Sequence, residues 1–179
     1  SVTDSPETVS LTHPGGTAEF PVIPSADGAS SVDFSTLTKQ TGYTALDHGF
    51  VNTASTKSAI TFIDGDEGVL RYRGYSIDDV AENSTFLEVA WLLIYGNLPS
   101  ESELQEFDHK IRHHTLLHED LKRLFDALPH NAHPMSVLSA AVSAMSTYYG
   151  DSLSVTDPEQ IEMSTIRLLA KLPVIAAYA

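Results

Sequence analysis

The spacing of apolar positions changes near Ser76. Before it, apolar residues come in short runs among Ser, Thr, Gly and Pro, which crowd the first 57 residues. Thr17-Ala18-Glu19-Phe20-Pro21-Val22-Ile23 reads as a strand, and Pro21 and Pro24, which have no N–H for a ladder, assign it to an edge. A short helix is expected from Phe34 to Thr38, with Asp33 as its N-cap. The clearest β signal runs from Ala59-Ile60-Thr61-Phe62-Ile63 through Asp64-Gly65-Asp66-Glu67-Gly68 to Val69-Leu70-Arg71-Tyr72-Arg73. Asp-Gly between two β-branched or aromatic runs predicts a hairpin.

After Ser76 the period is helical. Ser76 followed by Asp79 starts a short helix. Thr85 caps a second over Phe86 to Tyr95, apolar nearly all round and therefore expected to be buried; Gly96 and Pro99 end it. Ser100 with Glu103 makes a capping box for a helix reaching about Leu116. Glu119 to Ala127 is a short helix before Pro129, and Pro134 suits the first turn of one carrying Met135, Val137, Leu138, Ala141, Val142 and Met145. Asp157 caps the last helix, with Pro158 at its first position. The fold class read from this is mainly α. A β-rich extension and hairpin occupy 1–75, and 76–179 is a helical region of a larger all-α domain. The run Leu172 to Ala179 is apolar and uncapped, so the natural polypeptide is expected to continue beyond it.

Charge narrows the partners. The 179 residues hold 24 acidic and 10 basic side chains, a net charge of −14, and the carboxylates are spread along the chain. Such a surface repels phosphates, so neither nucleic acid nor an anionic membrane is an expected partner. No cysteine is present, which excludes disulfide scaffolds, thiol catalysis and Cys-type metal sites. Ser1 to Ser10 is polar and acidic, without the basic-then-apolar pattern of a signal peptide, and no apolar run nears the ~20 residues that cross a bilayer. A cytoplasmic location is the expectation.

Candidate chemistry is thin. Among eight histidines, His109 and His113 are four apart, as are His114 and His118. On a continuous helix, His114 and His118 fall within about 60° of Ile111 on the apolar face and the other pair falls opposite. The pairs cannot share one ion, and two ligands without a third make a poor metal site, so core or interface histidines are expected and no metal is assigned. Asp64, Asp66 and Glu67 lack the calcium-loop spacing and read as a solvated turn. The glycines form no phosphate-binding fingerprint. On the last helix, Ile161, Thr165, Leu168, Leu169 and Leu172 form the expected apolar stripe. Arg167 and Lys171 share the other side with no acidic residue three or four places away, which makes them a candidate anion site, against the reading of two solvated cations or ion pairs to another helix.

Several stretches together resemble one family. Ile60 to Tyr75 (ITFIDGDEGVLRYRGY), Phe86 to Leu93 (FLEVAWLL), Arg112-His113-His114-Thr115, Asn131-Ala132-His133-Pro134-Met135 and Ile166 to Pro173 (IRLLAKLP) are similar to bacterial citrate synthases, from about residue 45 onward. The likeness is to the longer bacterial type, in an actinobacterial style. It implies condensation of acetyl-CoA with oxaloacetate and water to citrate and CoA, the entry step of the tricarboxylic acid cycle, by a homodimer or homohexamer. Acetyl-CoA is then a substrate, and no cofactor is implied. The family's catalytic aspartate and two histidines belong to segments absent from these 179 residues, so no catalytic residue is assigned and this stretch alone is expected to be inactive. Hexameric relatives bind NADH at an allosteric pocket. The matching positions here are His113, His114, Thr115, Leu116, Tyr149, Arg167 and Lys171, but the family's arginine and methionine are replaced by His113 and Leu116. Losing a guanidinium removes a bidentate phosphate contact, so NADH binding is expected to be weak or lost. A 2-methylcitrate synthase using propionyl-CoA, a non-catalytic helical interaction module and a metal-binding helical domain are the alternatives.

Overall fold

In the computed structural model, residues 7–179 are described, and the polar start read at Ser1 to Ser10 lies largely outside them. Strand β1 (Thr8–His13) alternates Val9 and Leu11 with polar residues and turns through Pro14-Gly15 into β2 (Gly16–Ile23). The two pair antiparallel, His13 opposite Gly16 and Thr8 opposite Pro21. Strand β3 (Ser31–Val32) lies on the other side of β2. The edge expected of β2 is therefore wrong: it is the central strand. Pro21 is tolerated because β3 is two residues long and pairs only with Val22 and Ile23, so Pro21 owes the ladder no donor; its carbonyl still accepts from Asp33 N–H at 2.9 Å. Ala18 and Phe20 point inward and pack with Leu37 and Val32.

Helix α1 (Leu37–Thr41) begins later than the sequence pattern predicted. The Asp33 carboxylate closes a local turn by accepting from Ser35 N–H at 2.9 Å, which takes it away from a capping role. The predicted hairpin is present as β4 (Thr61–Asp64) and β5 (Val69–Tyr72), and Asp64 Oδ1 accepts from the N–H groups of Asp66 and Glu67 within the turn. A second, tighter turn at Arg73-Gly74 leads to β6 (Tyr75–Ser76), with φ of 50° and 90° at its two residues. Gly74 adopts this freely, but Arg73 does so at a cost. Its guanidinium offsets that cost by donating to Leu93 O at 2.7 Å and to Ala59 O at 3.3 Å.

The helices follow in order: α2 (Ile77–Asn83), α3 (Phe86–Tyr95), α4 (Glu101–Arg112), α5 (Glu119–Ala127), α6 (Pro134–Met145) and α7 (Pro158–Tyr178). Their starts obey the capping chemistry. Ser76 accepts from Asp79 N–H, and the Ser100–Glu103 box is complete in both directions. Thr85 and Glu88 bond reciprocally, and Asp157 accepts from Glu159 and Gln160 N–H. Bonding to the cap hydroxyl and N–H holds the carboxyls of Glu88 and Glu103 below their usual range. Helix α4 stops at Arg112, short of the expected Leu116.

Two burial expectations are corrected. Only Leu92 of α3 is fully buried, while Phe86 is 73% exposed and Ile94 and Tyr95 also face outward. A helix apolar all round needs cover on every side; here Leu92 is fully covered, Leu87 to Trp91 and Leu93 are half-buried, and the two ends are open. On α7 the buried residues are Ile166, Ala170, Lys171 and Ile175, whereas Ile161 and Leu172 of the expected stripe are exposed.

The chain divides into two units. One reaches to Ser84 and takes in Leu92–Gly96; the other holds Thr85–Trp91 and Asn97–Ala179. The core of the second joins Leu117, Leu121, Ala141, Met145 and Ile175, drawn from α5, α6, α7 and the segment before α5. Leu121→Ala should destabilise the protein by about 2–5 kcal/mol, because a cavity at this junction cannot close without moving three helices. Chemical denaturation followed by circular dichroism measures this, and a loss below about 1 kcal/mol would contradict the packing described.

Candidate functional site

The candidate anion site lies in the second unit, where α7 meets the end of α4 and the turn after α6. Lys171 carries a cation that is 3% exposed. Its Nζ donates to His114 O at 2.6 Å and also to Leu116 O, two carbonyls of the segment that leaves α4. Arg167, one turn earlier, donates from Nη1 to Asp151 Oδ1 at 2.6 Å and from Nη2 to Asp151 Oδ2 at 2.9 Å. Arg167 Nη1 also reaches Ser152 Oγ at 2.8 Å. Both cations sit over the face of Tyr149, with Arg167 Cζ 4.5 Å and Lys171 Nζ 5.2 Å from the ring centre. Bonding to the guanidinium holds the Asp151 carboxyl below its usual range and raises Arg167.

Of the seven predicted positions, Tyr149, Arg167 and Lys171 converge, and His114 and Leu116 join them through backbone carbonyls alone. Thr115 donates to Arg112 O at 3.0 Å, and Leu116 turns its side chain outward. His113 goes elsewhere: its Nδ1 lies 2.8 Å from His109 O, and its ring stacks on His109 with centroids 3.9 Å apart. The cations are also not isolated, as they had seemed from helical spacing. Asp151 is sixteen residues from Arg167 and meets it through the turn at Gly150–Ser152. Helical spacing carries no signal for such a partner.

Beside Arg167 opens a cleft of about 150 Å³, walled by Val142, Met145, Leu153 and Leu168 and edged by Ser152 and Ser164. No group of three or more metal-ligating side chains occurs among the described residues. His118, expected beside His114 on one helix, is instead the N-cap of α5, with Nδ1 accepting from Asp120 N–H at 3.2 Å and its ring 4.6 Å from that of Tyr148. Among the described residues no helix is long and apolar enough to cross a membrane.

Residues 49–179 match the profile described as citrate synthase, C-terminal domain. The chain belongs to the citrate synthase family. It is 55% identical over 176 residues to Citrate synthase 1 of Mycobacterium tuberculosis, covering 98% of this chain and 41% of that protein. To the citrate synthase of Corynebacterium glutamicum it is 50% identical over 169 residues, 94% of this chain and 39% of the relative. The chain thus spans about two fifths of the length of these curated relatives. Among solved structures, the citrate synthase of Pyrobaculum aerophilum aligns with a TM-score of 0.64 at 28% identity, over 99% of this chain and 39% of that one. The mainly α fold of this chain is the one that the solved citrate synthase structure shares over the aligned residues.

Lys171→Met should lower stability by about 1–3 kcal/mol, because it strands two part-buried carbonyls that the buried ammonium satisfies. A shift in the denaturation midpoint measures the loss; an unchanged midpoint would show that the ammonium does not hold this junction together.

Proposed function

We propose that the full-length protein condenses acetyl-CoA with oxaloacetate and water to give citrate and CoA, the entry step of the tricarboxylic acid cycle. The observation that carries this reading is the 55% identity to a mycobacterial citrate synthase across 98% of the chain. Identity at that level over so much of the chain favours a shared reaction more than a shared fold alone. The reaction needs a base for the acetyl methyl proton and hydrogen-bond donors for the developing enolate. These groups are assigned to the part of the protein beyond the present 179 residues, and the helices here act as framework. The protein is read as a cytoplasmic homodimer or homohexamer that needs no bound cofactor. Purified full-length protein should release free CoA from acetyl-CoA plus oxaloacetate and prefer acetyl-CoA to propionyl-CoA, whereas residues 1–179 alone should release none. A preference for propionyl-CoA would replace this assignment with methylcitrate synthesis.

The positions His113, His114, Thr115, Leu116, Tyr149, Arg167 and Lys171 are proposed to correspond to the relatives' NADH pocket, with its affinity weak or lost. Two observations support this. Arg167 is engaged by Asp151 and Lys171 by backbone carbonyls, so a phosphate would have to displace both. The neighbouring cleft of about 150 Å³ is also below the ~300 Å³ at which small-molecule pockets begin. Titrating the full-length enzyme with NADH should give a flat response in both activity and fluorescence. Saturable inhibition would instead mean that the Asp151 bridge opens for the dinucleotide.

A further inference from the structure

Strand β1 ends the order β1-β2-β3, so among the described residues no strand lies along its outer edge. The register shows which groups line that edge. Val22 N–H donates to Glu7 O at 2.8 Å, which makes Glu7 and Val22 a bonded pair. Bonding then alternates through Val9–Phe20, Leu11–Ala18 and His13–Gly16. Pro21, opposite Thr8, obeys the alternation, because its carbonyl turns to Asp33 on the other side of β2. The N–H and C=O groups of Thr8, Ser10 and Thr12 therefore point outward along the open edge.

Such an edge is a template for another strand unless charge or proline guards it. Thr8 to His13 holds no Pro, Lys, Asp or Glu. Its side chains also lack cover. Val9 and Leu11 stand on the same face as Phe20 and Ala18, which are buried, yet they remain 42% and 39% exposed. The apolar face of the sheet runs out to β1 and stops there uncovered.

We infer that β1 pairs edge to edge and antiparallel with β1 of a second copy of this chain, with Ser10 opposite Ser10 on a two-fold axis. The strand's own order selects this occupant. About Ser10 the residues read nearly alike in both directions, Val9 matching Leu11 and Thr8 matching Thr12. Two-fold pairing needs such self-complementarity, because every contact occurs twice with the roles exchanged. In this register Ser10 bonds Ser10 of the second copy and Thr8 bonds Thr12 both ways, which makes about six backbone hydrogen bonds. Val9 meets Leu11 at the non-bonded positions, where side chains come closest. One step further out, Glu7 faces His13. His13 Nδ1 accepts from Gly15 N–H at 3.2 Å, so Nε2 carries the ring proton and is free to donate a hydrogen bond to that carboxylate. The carboxylate within β2, Glu19, lies beside Ser10. Its copy stands three strand spacings away, about 14 Å, which exceeds a Debye length of about 8 Å. None of this depends on the reaction proposed above.

Cysteine cross-linking of the full-length protein under mild oxidation tests this, read on non-reducing gels against the unsubstituted protein. Ser10→Cys should give a new disulfide-linked dimer, since facing Cα atoms of a bonded pair lie about 5.5 Å apart, within disulfide reach. Thr8→Cys and Thr12→Cys alone should each link at least about tenfold less, because each lies too far from its own copy, and the two co-expressed should link. Ser10→Pro added to that co-expressed pair should cut the link about tenfold: proline costs the β1–β2 ladder no bond there but removes the donor at the centre of the seam. A Ser10→Cys protein that stays unlinked would mean that some other segment covers the edge, and overturns the inference. Equal linkage by Thr12→Cys alone, or a link that survives Ser10→Pro, overturns it too.

Discussion

The second unit depends on one buried ammonium. Helix α4 ends at Arg112, and the chain must turn back before α5 starts at Glu119, which leaves carbonyls with no helical partner. Lys171 reaches across from α7 and takes two of them, at His114 and Leu116. A buried charge is costly unless its donors are used, and here the ammonium meets two carbonyls and an aromatic face. This anchor places Leu117 and Leu121 against Ala141, Met145 and Ile175. Arg167 does the same one turn away, tying α7 to the turn after α6 through Asp151 and Ser152.

The polar chemistry of this stretch goes largely into making helices start and stop. Ser76, Thr85, Ser100, His118, His133 and Asp157 each present a side-chain acceptor where a helix begins. His114 Nδ1 lies 2.7 Å from Lys110 O, and His113 Nδ1 is as close to its own neighbour, so both rings finish the last turn of α4. Of the histidines at i, i+4 spacing, expected in a core or an interface, His113, His114 and His118 are thus bonded to backbone at the helix ends.

Exposure carries the same message from the apolar side. Phe86, Ile94 and Tyr95 on α3, and Leu46, Phe50 and Val51 before the hairpin, are all open to solvent. Those on α3 belong to a well-formed helix, and Phe50 and Val51 to a turn with defined bonding, where the Asp47 carboxylate accepts from Val51 and Asn52 N–H and from the Thr53 hydroxyl. In that loop, local hydrogen bonding sets the backbone and leaves the apolar side chains free.

Much of this was legible in the residues. Helix boundaries at Ser76, Ser100, Pro134 and Pro158 follow from caps and prolines, which act over three or four residues and therefore survive any packing. The hairpin was legible from Asp64-Gly65, and Pro14-Gly15 between two short alternating runs was a signal for β1 that went unused. The central place of β2, the break between Arg112 and Glu119, and the face that α7 buries were settled only in three dimensions. The reason is the same in each case. A strand's neighbours, a loop's unpaired carbonyls and a cation's partner lie in other elements, 16 residues from Arg167 to Asp151 and 55 or 57 from Lys171 to its carbonyls, and hydrophobic spacing within one element holds no record of them. Arg167 and Lys171 stood out in the sequence as two cations without partners; the tertiary structure supplied Asp151 to one and two carbonyls to the other, because burial obliges every charge to be met.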